Sequence, residues 1–364
     1  MIITIDGPAG TGKSSVTKKV AERLNMIVLD TGALYRAIAY GALTVGIDVN
    51  DEAKISALLL TNPLEVVFWE GSFHYFIEDF DTTMYLRTQE VANAASIVST
   101  YDAVRSYLLL VQKKLADKKN VVCEGRDMGT TVFPEAEIKI YLTASSKERA
   151  KRRFLELMEQ GITRLTLEDL SNDIEERDRR DSTRKNSPLK VPEDAFMIDT
   201  THLTLEQVVD EVIFLVKEES GLHEPHLGYW EHFTHQADVG IRGVGSTPAQ
   251  AFEQAALALT AIITEPGLIT PKTLVSVTAA ADTDELLLVD LLNAIIFEMA
   301  TKNLLFSRFH VTLLPGFLRA SLWGEPVNRE KHQPAVEIKG ATYHILSLKQ
   351  RDDGLWCAEC VVDV

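Results

Sequence analysis

A parallel β-sheet flanked by helices, followed by a smaller, separate α+β domain, is the fold class the sequence predicts. Three observations lead there. Short apolar segments alternate with amphipathic ones as far as Ser220, the pattern of an α/β layer structure. A glycine-rich loop sits between the first apolar segment and the first helical one. The polar stretch Lys217–Gly228, KEESGLHEPHLG, then interrupts the pattern, and the order of elements changes after it.

Taken in order, IITID is the first strand and SSVTKKVAERLN the helix after it; MIVLD is a second strand. NVVCEG is a strand ending in a turn, and IKIYL leads into the helix SSKERAKRRFLELMEQ. FMIDT is the last strand of this part and precedes an amphipathic helix over roughly Thr204–Val216. Beyond the break, WEHFTHQADVGIRGVG reads as a strand-like stretch, and Thr247-Pro248-Ala249-Gln250 as a capping box with proline in the first turn. TLVSVTAAA is a strand, Asp284–Thr301 a long apolar helix, and the remaining strands end in a hairpin signalled by Asp353-Gly354. The domains expected are 1–220, a linker over 221–228, and 229–364, with no internal repeat.

The 364 residues are 46% apolar and 25% charged, the composition of an ordinary globular chain long enough for two or three domains. No apolar run approaches the roughly 18 residues of a membrane span, and MIITIDGPAG carries no basic leader region, so a cytoplasmic protein is expected. Three cysteines are too few for a disulfide framework and suit a reducing compartment. The formal net charge is −16, with both parts acidic, which disfavours a stable nucleic-acid partner or a membrane surface. An anion site must therefore be a local gathering of arginines.

Gly7-Pro8-Ala9-Gly10-Thr11-Gly12-Lys13-Ser14, followed by Ser15, fits G-x-x-x-x-G-K-[ST] between a strand and a helix. Small residues let successive N–H groups wrap a phosphate, and the helix N-terminus adds positive potential. Lys13 reaches the β- and γ-oxygens of ATP, and the Ser14 hydroxyl ligates Mg²⁺. The chain has no N-K-x-D motif for guanine and no apolar strand ending in a catalytic acidic pair. A small-molecule kinase is what remains. Its acceptor residues are sought in DTGALYR, where Thr31 offers a hydroxyl and Arg36 a guanidinium, and in EGRDMG at the carboxyl end of a strand. Arg149 and Arg153 are spaced i, i+4, and Arg177, Arg180, Asp181 and Arg184 share a second helical face. Phosphoryl transfer needs cations around the moving group and a lid against water more than it needs covalent chemistry, so both clusters are catalytic candidates.

IDGPAGTGKSS, LDTGALYR, RTQEVANAASIVS, AVR, EGRDMGTTVFP and ERDRRDSTRKNSPL occur in one order, and together they resemble bacterial cytidylate kinase over residues 1–220. The resemblance implies a nucleoside monophosphate kinase fold, a monomeric kinase part, ATP with Mg²⁺ as donor, and CMP or dCMP as acceptor. It places Ser96, Arg105 and Asp127 on the cytosine edge. It places Thr31, Arg36, Arg126 and Arg184 on the acceptor phosphate, and Arg177 and Asp181 on the sugar. Asp127 suits its role chemically: a carboxylate accepts from the cytosine amino group but opposes the uracil carbonyl. The family often has serine where Thr31 stands, and Gly41–Tyr85 is the least similar segment.

In residues 229–364, His232, His235 and Asp238 are candidate metal ligands or, equally, structural residues. Cys357 and Cys360 stand i, i+3 in a strand, on opposite faces, and read as ordinary strand cysteines. Asp290 and Asn293 interrupt an apolar helix and must be paired or functional there. HQADVGIRGVG, LLVDLLNAIIF, EIKGATYH and LWCAECVVDV resemble archease. That resemblance implies a protein assisting the guanylylation of a 3′-phosphate RNA ligase in tRNA splicing or RNA repair. It implies a metal site at Asp238, Asp363 and the carboxylate of Val364, and a functional lysine at Lys339. The family has tryptophan where Leu291 stands and an acidic residue where Ala294 stands. Three carboxylates suit Ca²⁺ or Mg²⁺. The alternative is a kinase alone, with the second domain a structural or oligomerisation module.

Overall fold

The computed structural model describes residues 1–77, 79–117, 119–159, 166–184, 186–220, 228–235 and 238–364. The chain divides into two compact units, Met1–Ser220 and Gly221–Val364. Apart from Gly228, the expected linker lies outside the described residues, as does the side chain of His235.

In the first unit the strands β1 (Ile2–Asp6), β2 (Ile27–Asp30), β6 (Val121–Glu124), β7 (Ile138–Thr143) and β8 (Phe196–Asp199) pair in parallel, in the order β8-β7-β1-β6-β2. Their continuous apolar sequences match a sheet covered on both faces. Helices α1 (Lys13–Leu24), α2 (Thr31–Thr44) and α3 (Glu52–Thr61) follow the first two strands. A three-stranded antiparallel sheet comes next, built of β3 (Glu65–Trp69), β4 (Ser72–Ile77) and β5 (Phe80–Asp81). It is followed by α4 (Gln89–Val98) and α5 (Asp102–Ala116), then by a single π-helical turn, Met128–Val132, after β6. The arginine-rich helices are α6 (Ser146–Glu159) and α7 (Leu167–Thr183), and α8 (Leu205–Glu219) closes the unit. The last helix opens on a reciprocal capping box of Thr204 and Gln207 and runs one turn past the expected Val216, to a C-cap at Ser220 whose N–H bonds the Val216 carbonyl. Leu29, Leu34, Ile38, Val98, Leu108 and Val121 anchor the apolar core around α2, α4 and α5.

The second unit differs from expectation at its start. WEHFTHQADVGIRGVG is two antiparallel strands, β9 (Tyr229–His235) and β10 (Asp238–Gly245), not one. They belong to a four-stranded sheet, β14-β15-β10-β9, with β14 (Gly340–Gln350) and β15 (Trp356–Asp363) joined through the Asp353-Gly354 turn. A second antiparallel set runs β12-β13-β11, with β11 (Thr273–Ala280), β12 (Leu304–Leu314) and β13 (Phe317–Pro326). Helices α9 (Pro248–Ile263) and α10 (Asp284–Lys302) pack on both sets, and α11 (Arg329–His332) is one short turn. The capping box expected at α9 is half formed: Thr247 caps the Gln250 N–H, while the Gln250 carbonyl turns to the backbone and hydroxyl of Ser246. Phe252, Leu259, Leu288, Leu292, Phe306 and Leu322 fill the core.

Candidate active site

The phosphate loop spans β1 to α1. Gly12 takes the N-cap position of α1 at φ 88°, and no side chain caps the helix. That leaves its first N–H groups free for an anion. Gly7 is required by contact: a Cβ there would stand 2.1 Å from the Leu142 carbonyl oxygen. Lys13 is buried and donates to the Pro8 carbonyl at 2.6 Å. Burial, reinforced by Arg126, holds its ammonium well below the usual lysine range. The Ser14 hydroxyl donates to Glu124 at 2.7 Å, which leaves its lone pairs for a cation. Ser15 is exposed beside it. Arg149 donates to the Ala9 carbonyl at 3.0 Å and pairs with Asp178, which accepts from the Ala9 N–H at 3.4 Å.

The turn after β6 is fastened from below. Asp6 accepts the Met128 and Gly129 N–H groups at 2.9 and 2.8 Å, while burial raises its carboxyl to about 6. Asp127 is thereby presented, buried, between Arg105, with which it pairs closely, and Arg184 at 3.1 Å. Arg126 binds Asp181 at 2.9 Å. Burial of Asp181 is outweighed by Arg126, Arg177 and Arg184, so its carboxyl lies below the ordinary range. Arg177, half-buried, is brought down to about 10 by burial and by Arg126. Arg36 is held by Asp30 at 2.7 Å, and Thr31 donates to the Glu124 carbonyl at 2.6 Å. A cavity of about 300 Å³ opens against Arg105 and Asp127, with Tyr35, Gln112, Asn186 and Ser187 also in its wall.

Two of the expected residues stand apart from this grouping. Ser96 is buried on α4 with an unpaired hydroxyl and is not in the cavity wall. Arg153 binds Gln89 at 2.7 Å and Glu156 at 2.8 Å, one turn beyond the Arg149 contacts. Sequence reasoning passed over Glu124 and Asp6, although each is a carboxylate ending an apolar strand, a pattern visible in IITID and VVCE.

In the second unit Val239 stands opposite Val362 and Gly340 opposite Asp363, so Asp238, Asp363 and Lys339 share one end of the sheet. The Lys339 ammonium lies 2.8 Å from the Val364 carbonyl oxygen and 3.5 Å from Asp363. Asn293 clamps β14 through the Ala341 N–H and carbonyl, at 2.9 and 3.2 Å. His232 bonds the Ala258 carbonyl at 2.8 Å, a structural tie to α9. Cys360 is buried and Cys357 half-buried. Among the described residues no group of three or more His, Cys, Asp or Glu side chains is placed to hold a metal, and no helix is long and apolar enough to cross a membrane.

An anion-binding loop, a buried lysine, and a convergent arginine cluster beside an acceptor-sized cavity define a phosphotransferase of the P-loop class. Residues 3–218 match the cytidylate kinase family model, so the chain belongs to the cytidylate kinase family, and residues 230–364 match the archease protein family. The cytidylate kinase of Bacillus licheniformis is 45% identical over 221 residues, spanning 60% of this chain and 97% of that protein. That of Bacillus subtilis is 43% identical over 218 residues, with coverage of 60% and 97%. The solution structure of Methanobacterium thermoautotrophicum protein 1598 is 29% identical, covers 37% of this chain and 98% of that one, and has a TM-score of 0.34.

Proposed function

We propose that the first unit transfers the terminal phosphoryl group of ATP to CMP or dCMP, with UMP a poor acceptor. The observation that carries this reading is Asp127, buried between Arg105 and Arg184 in the wall of the cavity. Its carboxylate accepts from a cytosine amino group and faces an unfavourable carbonyl in uracil. Arg105 completes the base site, and Ser96, which lies outside the cavity wall, joins it only when α4 moves toward the bound base. Thr31, Arg36, Arg126 and Arg184 hold the acceptor phosphate, and Arg177 and Asp181 the sugar. Lys13 and Arg149 surround the donor phosphates; Lys13 leaves the Pro8 carbonyl when an anion arrives. Arg153 joins them only by releasing Gln89. Mg²⁺ carried with ATP neutralises phosphate charge, and Ser14 with Glu124 behind it is the pair that would hold it. The acceptor phosphate attacks directly in a ternary complex, because among the described residues no side chain stands ready to form a phospho-enzyme. A coupled assay tests this: CMP and dCMP turn over far faster than UMP or AMP, and Asp127→Asn relaxes that preference while leaving the KM for ATP unchanged. Equal turnover of UMP and CMP by the wild type overturns it.

For residues 230–364 we propose that Asp238, Asp363 and the carboxylate of Val364 hold one divalent cation, and that this unit promotes guanylylation of a 3′-phosphate RNA ligase. In support, the anionic groups gather at one sheet end, where Lys339 pairs with Asp363 and the Val364 carbonyl. With a cation held there, the Lys339 ammonium would be free to meet a phosphate or a partner's carboxylate. Mixing the full chain with such a ligase and GTP accelerates formation of the ligase–GMP adduct, and Asp238→Ala abolishes the acceleration. A wild-type chain that gives no acceleration leaves this unit a structural module.

A further inference from the structure

The cavity beside Asp127 contains a polar side chain for which the reading above has no role. Gln112 lies on α5 in the stripe that this helix buries, Val104, Arg105, Leu108, Gln112 and Ala116. Arg105 and Gln112 are seven residues apart, two helical turns, and so present to the same side. Gln112 is 1% exposed. It forms part of the cavity wall together with Tyr35, Arg105 and Asp127. Neither Nε2 nor Oε1 makes a hydrogen bond of good geometry, although the Tyr35 hydroxyl lies near enough to Gln112 for the amide to act on it. Its neighbour Tyr35 is shared with Arg105, whose guanidinium stands over the phenol ring 5.8 Å from its centre.

A primary amide withdrawn from water with at most a poorly aligned contact to the Tyr35 hydroxyl is unfavourable, and an apolar residue of the same size would suit the stripe better. A partner that arrives with the substrate removes the conflict. We propose that Gln112 is a specificity-determining residue whose carboxamide hydrogen-bonds the pyrimidine ring of the acceptor once the cavity is filled. This rests on the assignment of the cavity to the acceptor base. The chemistry matches: a cytosine edge carries an amino donor beside two acceptors, and a carboxamide offers a donor and an acceptor in one plane. Asp127 as a carboxylate only accepts, and Arg105 only donates, each already committed to a salt bridge. Gln112 adds a contact of either sense without adding charge to the site.

The test uses the full chain and measures the KM for CMP, UMP and ATP separately in Gln112→Met, Gln112→Leu and Asp127→Asn, with the melting temperature of each unliganded variant. Met and Leu both remove the amide while keeping its bulk, so one folded variant suffices. The expected result is a rise of about tenfold in the KM for CMP, an unchanged KM for ATP, and a melting temperature equal to or above wild type. Loss of a purely structural amide would move the melting temperature and leave the KM for CMP alone, which overturns the proposal. If Asp127→Asn shifts the CMP-over-UMP preference while neither Gln112 variant affects CMP, the role of Gln112 fails and the base-site assignment stands. If no variant affects CMP, the assignment of the cavity fails with it.

Discussion

Glu124 shows how one side chain couples the phosphate loop to the proton. It ends β6, accepts the Ser14 hydroxyl, and has its carboxyl raised to about 7, first by burial and then by Asp30, against the pull of Ser14, Lys13 and Arg36. Asp6 is raised to about 6, mainly by burial. For a carboxyl whose folded value exceeds its unfolded one, the folded state holds a proton that the unfolded state has lost. Stability then falls as pH rises through that interval. Between the ordinary 4.5 and about 7 for Glu124, and between 3.8 and about 6 for Asp6, the unliganded protein therefore loses stability with rising pH. Melting temperatures from about pH 5 to about pH 8 should decline in the wild type, and Glu124→Gln should flatten the upper part of that decline. An identical slope in the variant contradicts the argument. Lys13 and Ser14 are legible in the sequence because the loop motif ties residue type to role within eight neighbouring positions. Glu124 is not, because its partner Ser14 lies 110 residues away and only the parallel pairing of β1 with β6 brings them together.

Among the elements, β10 depends most on what its sequence lacks. A Cβ at Gly243 would stand 2.1 Å from the Ala251 carbonyl oxygen and 2.2 Å from the Ala255 nitrogen, both backbone atoms of α9. The glycine lets the alanine-rich face of α9, with Ala251, Ala255 and Ala258 fully buried, lie directly on the strand. Backbone cannot yield as a side-chain tip does, so Gly243→Ala should destabilise the second unit by about 2–3 kcal/mol. Urea unfolding followed by circular dichroism measures this, and wild-type stability in the variant would show that α9 can shift freely. The alternation of strands and helices before Ser220 was readable because continuous apolar strands and amphipathic helices differ in period. The division into β9 and β10 was not: no glycine, proline or asparagine punctuates the sequence between them, and the reversal shows only in the antiparallel register. The small β3–β5 sheet escaped for a related reason: only β4 has a buried alternating pair, Phe73 and Tyr75, while its neighbours β3 and β5 are largely exposed, with Phe68 and Trp69 on the surface.

The two units each carry what an independent fold requires. One large apolar cluster draws its buried members from Leu29 to Ala136, the other from Ile241 to Val362. The hydrogen bonds and ion pairs described for the phosphate loop and the arginine cluster all join residues below 220. The elements that carry them, from β1 to α8, fall in the first unit. Domains of this size with their own cores generally fold alone. A chain ending at Ser220 should therefore keep kcat and the KM values for CMP and ATP within about twofold of the full chain. Steady-state kinetics on both chains, with the far-ultraviolet spectrum as a check on folding, decide the point. A folded but inactive truncated chain would mean that the second unit shapes the active site at a distance. An unfolded one would make that unit a scaffold for the kinase, in place of a separate activity carried on the same polypeptide.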